Sequence, residues 1–278
     1  MPTIQAILES AIQLFPQLDT TRLEVEVLLC HVLRVKRSYL YTWPDCLLTT
    51  HQINQFQALC QRRLQGEPIA YLIGYKEFWS LELQVTPATL IPRPETELLV
   101  EQALARLPID SDAQVVDLGT GSGAIALAIA QERPHCRVLA TDNAPEALAI
   151  AQQNAQRLRL HQLQFRVSDW WQALNQVTAT VVVSNPPYVA ITDPHLTQGD
   201  VRHEPRQALI AGKDGLAALR LLITQSWVHL ELSGWLLLEH GYNQAAAVQK
   251  LLARQGYQMI TTYPDLAGQP RVTVGQKL

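Results

Sequence analysis

From Pro94 to the C-terminus, short apolar runs alternate with longer stretches whose apolar residues recur at helical spacing, and no other feature restricts the fold as strongly. The runs read as strands at residues 114–118, 137–141, 163–167, 180–184 and 235–239, with two more at 259–263 and 271–274. Helices are expected over 95–107, 124–132, 145–158, 215–230 and 243–254. Strands joined through helices cannot pair as simple hairpins. The pattern therefore predicts an α/β domain with a doubly wound, mostly parallel sheet and helices on both faces. In such a sheet ligands bind at the carboxyl ends of the strands. No internal repeat interrupts the pattern, which argues against a solenoid.

The N-terminal part follows a different rule. Ile4, Ile7, Leu8, Ala11, Ile12 and Phe15 share helical spacing, as do Val25, Leu28, Leu29, Val32 and Leu33 after Asp19-Thr20-Thr21. A third set, Ile53, Phe56, Cys60 and Leu64, is opened by the capping candidates Thr49-Thr50. These helices predict a small bundle over residues 1–70, a β-hairpin linker over 71–90 and a second domain over 91–278. A hydrophobic content of 47% supports a sizeable core, while 17% charged residues and a net charge of −3 disfavour a strongly basic nucleic-acid binder. Cys30, Cys46, Cys60 and Cys136 are widely spaced, with neither a C-x-x-C pair nor a histidine cluster, so no zinc site and no disulfide framework is expected. His195, His203 and His240 likewise show no ligand spacing. With no signal segment and no apolar run of membrane-spanning length, a soluble, cytoplasmic protein is expected.

The first strand of the second domain ends in Asp117-Leu118-Gly119-Thr120-Gly121-Ser122-Gly123 and turns directly into a helix. Glycines there permit a sharp turn and let a ligand approach main-chain N–H groups. Asp142, with Asn143 beside it at the end of the second strand, suits a ribose hydroxyl. Both features fit a nicotinamide dinucleotide as well as a sulfonium cofactor. Ser168-Asp169-Trp170-Trp171, after the third strand, tips the balance: a carboxylate can accept from an adenine amine while an indole covers the purine face. The competing structural readings are that Trp170 is only a half-buried aromatic and that Asp142 only favours a helix N-terminus.

After the fourth strand comes Asn185-Pro186-Pro187-Tyr188. Two adjacent prolines fix φ and delete two N–H donors, so the local main chain offers carbonyls without competing donors. That arrangement suits an –NH2 group. An amide nitrogen is a poor nucleophile because its lone pair is delocalised. Acceptors on both of its hydrogens can turn that lone pair toward an electrophile, so the implied chemistry is transfer to nitrogen.

With these motifs the chain resembles the Class I S-adenosylmethionine-dependent methyltransferases, and more closely the peptide chain release factor N5-glutamine methyltransferases. The resemblance extends to Pro68-Ile69-Ala70-Tyr71-Leu72-Ile73-Gly74, Ile91-Pro92-Arg93-Pro94-Glu95-Thr96-Glu97, Glu204-Pro205-Arg206-Gln207-Ala208-Leu209, Asp214-Gly215-Leu216 and Leu238-Glu239-His240-Gly241. It departs at Gly268-Gln269-Pro270-Arg271, where a proline precedes the arginine. The resemblance implies a Rossmann-like seven-stranded sheet behind an N-terminal helical substrate-recognition domain. It also implies S-adenosyl-L-methionine as cofactor, S-adenosyl-L-homocysteine as product, and the glutamine of a release factor Gly-Gly-Gln motif as target. Catalytic roles then fall to Asn185, Pro186, Pro187 and Tyr188. Cofactor contacts fall to Gly119, Thr120, Gly121, Ser122, Gly123, Asp142, Asn143, Asp169, Trp170 and Asn185, and Arg93 and Glu95 join the acceptor residues as substrate contacts, gating the glutamine slot or meeting the partner. Glu204 and Arg206 are expected to pair within the long loop after the fourth strand. A monomer with no nucleic-acid or membrane partner is expected. The rival readings are N6-adenine methylation of DNA or RNA, a non-catalytic binding module on the same fold, and a nicotinamide-dependent oxidoreductase.

Overall fold

The computed structural model describes residues 1–15 and 20–278, so Asp19 lies outside the described residues. The chain forms two compact units, Met1–Gly74 and Tyr75–Leu278. The first is helical: α1 (Ile4–Leu14), α2 (Thr21–Leu33), α3 (Arg37–Thr42), α4 (Thr50–Leu64) and α5 (Ile69–Ile73). Thr3 caps α1 by accepting from the Ala6 N–H at 3.2 Å. At α4 Thr49 and Gln52 form a reciprocal capping box. Ile4, Leu28, Leu29 and Phe56 meet in the core of this unit, whereas Leu64, expected to share its helix's apolar face, is exposed. The unit runs through α5 to Gly74, beyond the boundary expected at residue 70, because the Pro68–Gly74 segment turns helical and buries Leu72 in the bundle.

One charge is sunk into the bundle. The Glu26 side chain is 1% exposed, and its carboxylate accepts from Arg22 at 2.9 Å, Arg37 at 2.6 Å and Tyr41 at 2.6 Å. These charge-assisted bonds tie α2 to α3.

The second unit opens with an antiparallel hairpin of β1 (Tyr75–Phe78) and β2 (Leu81–Gln84). Its two-residue turn places both Trp79 and Ser80 at positive φ, +52° and +57°, as the tightest right-twisted hairpins require. The hairpin is anchored within this unit. The Trp79 N–H donates to Glu97 Oε1 at 2.8 Å, and Asn154 pairs with both backbone groups of Gln84 at 2.7 and 3.0 Å.

One 3₁₀ turn, Pro94–Thr96, leads into α6 (Glu97–Leu104), and the alternation then proceeds through β3 (Gln114–Leu118), α7 (Ala124–Glu132), β4 (Arg137–Asp142), α8 (Pro145–Arg157), β5 (Gln164–Val167) and β6 (Ala179–Ser184). After a long loop containing three 3₁₀ turns come α9 (Ala217–His229), β7 (Leu230–Glu239), α10 (Ala245–Gln255), β8 (Gln258–Pro264) and β9 (Pro270–Gln276). The seven strands form one sheet in the order β5-β4-β3-β6-β7-β9-β8, parallel except where β9 runs against both neighbours. Alternate residues serve opposite faces. Val115, Val181, Val183 and Leu237 pack with α6 and α7 on one side, and Val116, Val182, Leu236 and Leu238 pack with α9 and α10 on the other. Burial on both faces explains why these strands read as continuous apolar runs. Among the described residues no helix is long and apolar enough to cross a membrane, and no His/Cys/Asp/Glu cluster could hold a metal ion.

Because Glu26 is buried and its three partners come from two helices, Glu26→Ala is expected to destabilise the chain by about 2 kcal/mol in urea unfolding followed by circular dichroism.

Candidate active site

Strand order reverses between β3 and β6, so the loops leaving these two strands part at the carboxyl edge and open a crevice. A cleft lies there, enclosing about 930 Å³ of empty space counted to its mouth. Gly119, Thr120, Gly121, Ser122, Asp142, Asn143, Asp169, Trp170, Arg93, Asn185 and Pro187 all line it, so the structure brings together most residues that the motifs single out. Gly123 does not line it. A Cβ there would lie 2.9 Å from Leu127 Cδ1 and 3.1 Å from Ala151 Cβ, so this glycine lets α7 seat against α8.

The glycine turn is closed from within. The N–H groups of Gly119 and Thr120 both donate to the Thr141 carbonyl, at 2.9 and 2.8 Å, and the Gly121 N–H donates to Asp142 Oδ2 at 2.9 Å. These main-chain donors, expected to be offered to a ligand, are therefore engaged. Gly121, at φ +56°, instead leaves open space where a side chain would stand. Asp142 Oδ1 accepts from the Ala144 N–H at 2.9 Å, so main-chain donors orient both carboxylate oxygens without filling their four lone-pair sites. That leaves Asp142 able to accept from ligand hydroxyls.

Two adjacent tryptophans part company at the next strand end. Trp171 is buried, stacked on His229 with centroids 4.1 Å apart, and its Nε1 donates to Ser226 Oγ at 3.0 Å. Trp170, at φ +50°, packs against the edge of the same core and lines the cleft. Ser168 enforces the turn by donating to the Trp170 carbonyl at 2.7 Å and accepting from the Ala173 N–H at 3.1 Å. Gly119 lies beneath it at φ +76°, a backbone conformation that L side chains rarely adopt.

Asn185 and Arg93 line this cleft and also a second cavity, of about 610 Å³ to its mouth, walled further by Pro186, Tyr188, Val189 and His195. Asn185 thus stands where the two spaces meet. Its Nδ2 donates to Thr96 Oγ1 at 3.1 Å, and among the described residues no donor reaches its Oδ1 or the Pro186 carbonyl. The Tyr188 carbonyl is already taken by Gln244 Nε2 at 3.0 Å. Gln244 also accepts from the Gly241 N–H at 2.9 Å, stapling the acceptor loop to the loop after β7. Gly215, at φ +72°, runs so close beneath Tyr188 that a Cβ would sit 2.3 Å from the Tyr188 carbonyl oxygen.

Glu95 is exposed and lines neither space, while the Pro94–Thr96 turn directs Thr96 inward. One expected pairing fails here. Glu204 does not pair with Arg206. It is buried, pairs with Arg93 and accepts from the Ile91 N–H at 3.1 Å, so the segment before α6 is tied to the long loop after β6. Thr96 and Glu239 are residues the motif reading missed. Their signal lay in topology: β7 pairs with β6, Ser184 opposite Leu238, which sets Glu239 beside Asn185.

Two carboxyls behind the site are wholly buried. Desolvation pushes Asp117 up to about 7 against the bond from Thr120 Oγ1 at 2.7 Å. Desolvation likewise pushes Glu239 up to about 7, opposed by the Thr96 hydroxyl, Arg271 and Tyr188. Burial also raises the Tyr188 phenol, which remains a donor, to Glu239 Oε1 at 3.4 Å.

Fold and site together define a methyltransferase of the Class I architecture. A methyltransferase from Pyrococcus furiosus superposes with a TM-score of 0.55 at 19% identity, covering 78% of this chain and 96% of that one. Residues 6–74 match the PrmC N-terminal domain model, and residues 94–204 match the methyltransferase small domain. The release factor glutamine methyltransferase of Xylella fastidiosa (strain Temecula1) is 51% identical over 276 residues, 99% of this chain and 98% of that protein. Its counterpart from Escherichia coli (strain K12) is 47% identical over 269 residues, 97% of each chain. The chain belongs to the release factor glutamine methyltransferase family.

A carboxyl whose pKa is higher folded than unfolded binds its proton more tightly in the folded state, so the stability it contributes is present below the unfolded value and lost as pH rises. For Asp117 and Glu239 that window runs from the ordinary carboxylate range to about 7. The thermal midpoint is expected to fall between pH 5 and pH 8, and Glu239→Gln to fall less over the same range. Parallel curves for the two proteins would contradict the assignment.

Proposed function

We propose that this protein transfers a methyl group from S-adenosyl-L-methionine to the side-chain amide nitrogen, N5, of the glutamine in a release factor Gly-Gly-Gln motif. The observation that carries the reading is the pair of unengaged acceptors, Asn185 Oδ1 and the Pro186 carbonyl, of which Asn185 lines both adjoining spaces and Pro186 lines the second. The donor set of the cleft at the glycine turn fits the cofactor. Asp142 keeps lone pairs for ribose hydroxyls, with Asn143 alongside, and Asp169 and Trp170 offer a carboxylate and an indole face to the adenine. Bound there, S-adenosyl-L-methionine would supply an electrophilic sulfonium methyl.

The protein's own contribution is orientation. Asn185 Oδ1 and the Pro186 carbonyl each accept one hydrogen of the target amide, so its nitrogen faces the cleft. Pro187 and Tyr188 wall the slot, and Arg93, tied to Glu204, holds the rim. No strong base is needed at first contact. As the new N–C bond formed and the methyl–sulfur bond broke, the nitrogen would become acidic, its hydrogen bonds to these fixed acceptors would strengthen, and one of its hydrogens would then leave to water as a proton. The acceptors therefore stabilise the transition state more than the ground state. The reading includes a cytoplasmic, monomeric enzyme with release factors as its partners.

Incubating the pure protein with labelled S-adenosylmethionine and a release factor, then mapping the label by mass spectrometry, is expected to place it on the glutamine of Gly-Gly-Gln. Label on DNA or RNA instead would replace this reading with adenine methylation. Asn185→Ala is expected to lower kcat about a hundredfold, roughly 3 kcal/mol, with a much smaller effect on cofactor affinity. Equal losses in both would refute the acceptor role. Asp142→Ala is expected to weaken S-adenosylhomocysteine binding about tenfold by calorimetry, since it removes charge-assisted hydrogen bonds.

A further inference from the structure

Among the described residues Arg93 is the only lysine or arginine that lines either of the two spaces, and like Asn185 it lines both. A lone guanidinium there would defeat selection of an amide. Glutamine and glutamate side chains have nearly the same shape, and an uncompensated cation draws the charged one by Coulomb attraction. The fold supplies the compensation. The Glu204 side chain is fully buried, its Oε1 pairs with Arg93 Nη2, and its Oε2 accepts from the Ile91 N–H at 3.1 Å, so both oxygens are held. Burial raises the Glu204 pKa, and Arg93 and the Ile91 N–H oppose that by bonding the charged form. Arg93 itself is 32% exposed along its side chain and takes no other hydrogen-bond partner among the described residues. The rest of its five N–H groups remain able to donate. A target amide brings one oxygen as well as two hydrogens. Acceptors at Asn185 and Pro186 with a neutralised donor at Arg93 make the hydrogen-bond complement of a carboxamide.

We propose that Glu204 is a specificity-determining positioning residue: by pairing with Arg93 it cancels the charge of that guanidinium, which then donates to the oxygen of a target amide without recruiting a carboxylate in its place. This inference rests on the glutamine reading given above. Glu204 lines neither space, so it acts through Arg93. Removing its charge leaves Arg93 a bare cation beside the slot, and a glutamate target gains an ion pair that a glutamine cannot form. Removing both charges together returns the site to neutrality, and the advantage of the wrong target goes with them.

The test measures Kd by calorimetry for the full-length enzyme saturated with S-adenosylhomocysteine, against a release factor and against the same factor carrying Gly-Gly-Glu. Wild-type enzyme is expected to methylate Gly-Gly-Gln and to bind it at least tenfold more tightly than Gly-Gly-Glu. Glu204→Gln is expected to narrow that ratio at least fivefold, chiefly through tighter binding of Gly-Gly-Glu. Combining Glu204→Gln with Arg93→Gln is expected to bring the ratio back to within twofold of wild type. Glu204→Asp, which keeps the charge, is expected to hold the wild-type ratio within twofold, and Arg93→Gln alone to leave it no narrower. A purely structural tie behaves differently: Glu204→Gln then weakens both factors alike, and the double variant recovers nothing. Either of those results overturns this inference alone, as does a wild-type enzyme that methylates Gly-Gly-Gln yet binds the two factors equally. Should circular dichroism show that Glu204→Gln does not fold, the Glu204→Asp and Arg93→Gln variants decide, and a narrowed ratio in either overturns the inference. Wild-type enzyme that binds S-adenosylhomocysteine and methylates neither factor overturns the functional reading, and this inference with it.

Discussion

Everything at the site depends on the parallel pairing of β6 with β3 on one side and β7 on the other. Val116 and Val182 are partners, as are Val182 and Leu236, so the three strands run level and finish at the same edge. The glycine turn, the acceptor loop and Glu239 are consequently delivered to one place from positions more than a hundred residues apart in the chain. Ser184 Oγ adds a buried 2.6 Å bond to the Leu118 carbonyl at the last rung, locking the two loops at their roots. A slip of one residue in this pairing would turn every side chain of the shifted strand to the opposite face and remove the site as well as the core.

Around that frame the protein controls hydrogen-bond direction more than charge. Donors of the glycine turn are spent on Thr141 and Asp142, and the Tyr188 carbonyl is spent on Gln244. What remains unengaged is a pair of acceptors, Asn185 Oδ1 where the two spaces meet and the Pro186 carbonyl beside the second. Two unengaged acceptors side by side match a guest that brings two donors. Glu204, buried against Arg93 and the Ile91 N–H, extends the same logic to the rim by tying two loops that share no strand.

The sheet was legible because buried parallel strands carry apolar runs on both faces. Gln114–Leu118 and Ala124–Glu132 were readable to the residue, and β7 began earlier than expected because its first residues, flanked by exposed Glu231 and Leu232, pair at a bulge opposite Ala179. The short α3 and α5 escaped, since one or two turns leave too few apolar residues to show a period. At the site, motif residues converge as a group, but spacing along the chain could not separate Trp170, which lines the cleft, from Trp171, which is buried. Nor could it show that Glu204 meets Arg93 or that Glu95 faces solvent. Those facts depend on how the loops cross, and Thr96 and Glu239 become visible only once strand order is known.

The close passage of Gly215 beneath Tyr188 has a consequence for anyone wishing to transplant this chemistry. The four-residue acceptor segment does not carry its own shape. It is moulded from below by a residue twenty-seven positions downstream, and held from the side by a glutamine further along still. Grafting Asn-Pro-Pro-Tyr onto another scaffold would import the letters without the mould. The portable unit is the segment together with the distant glycine that makes room for it.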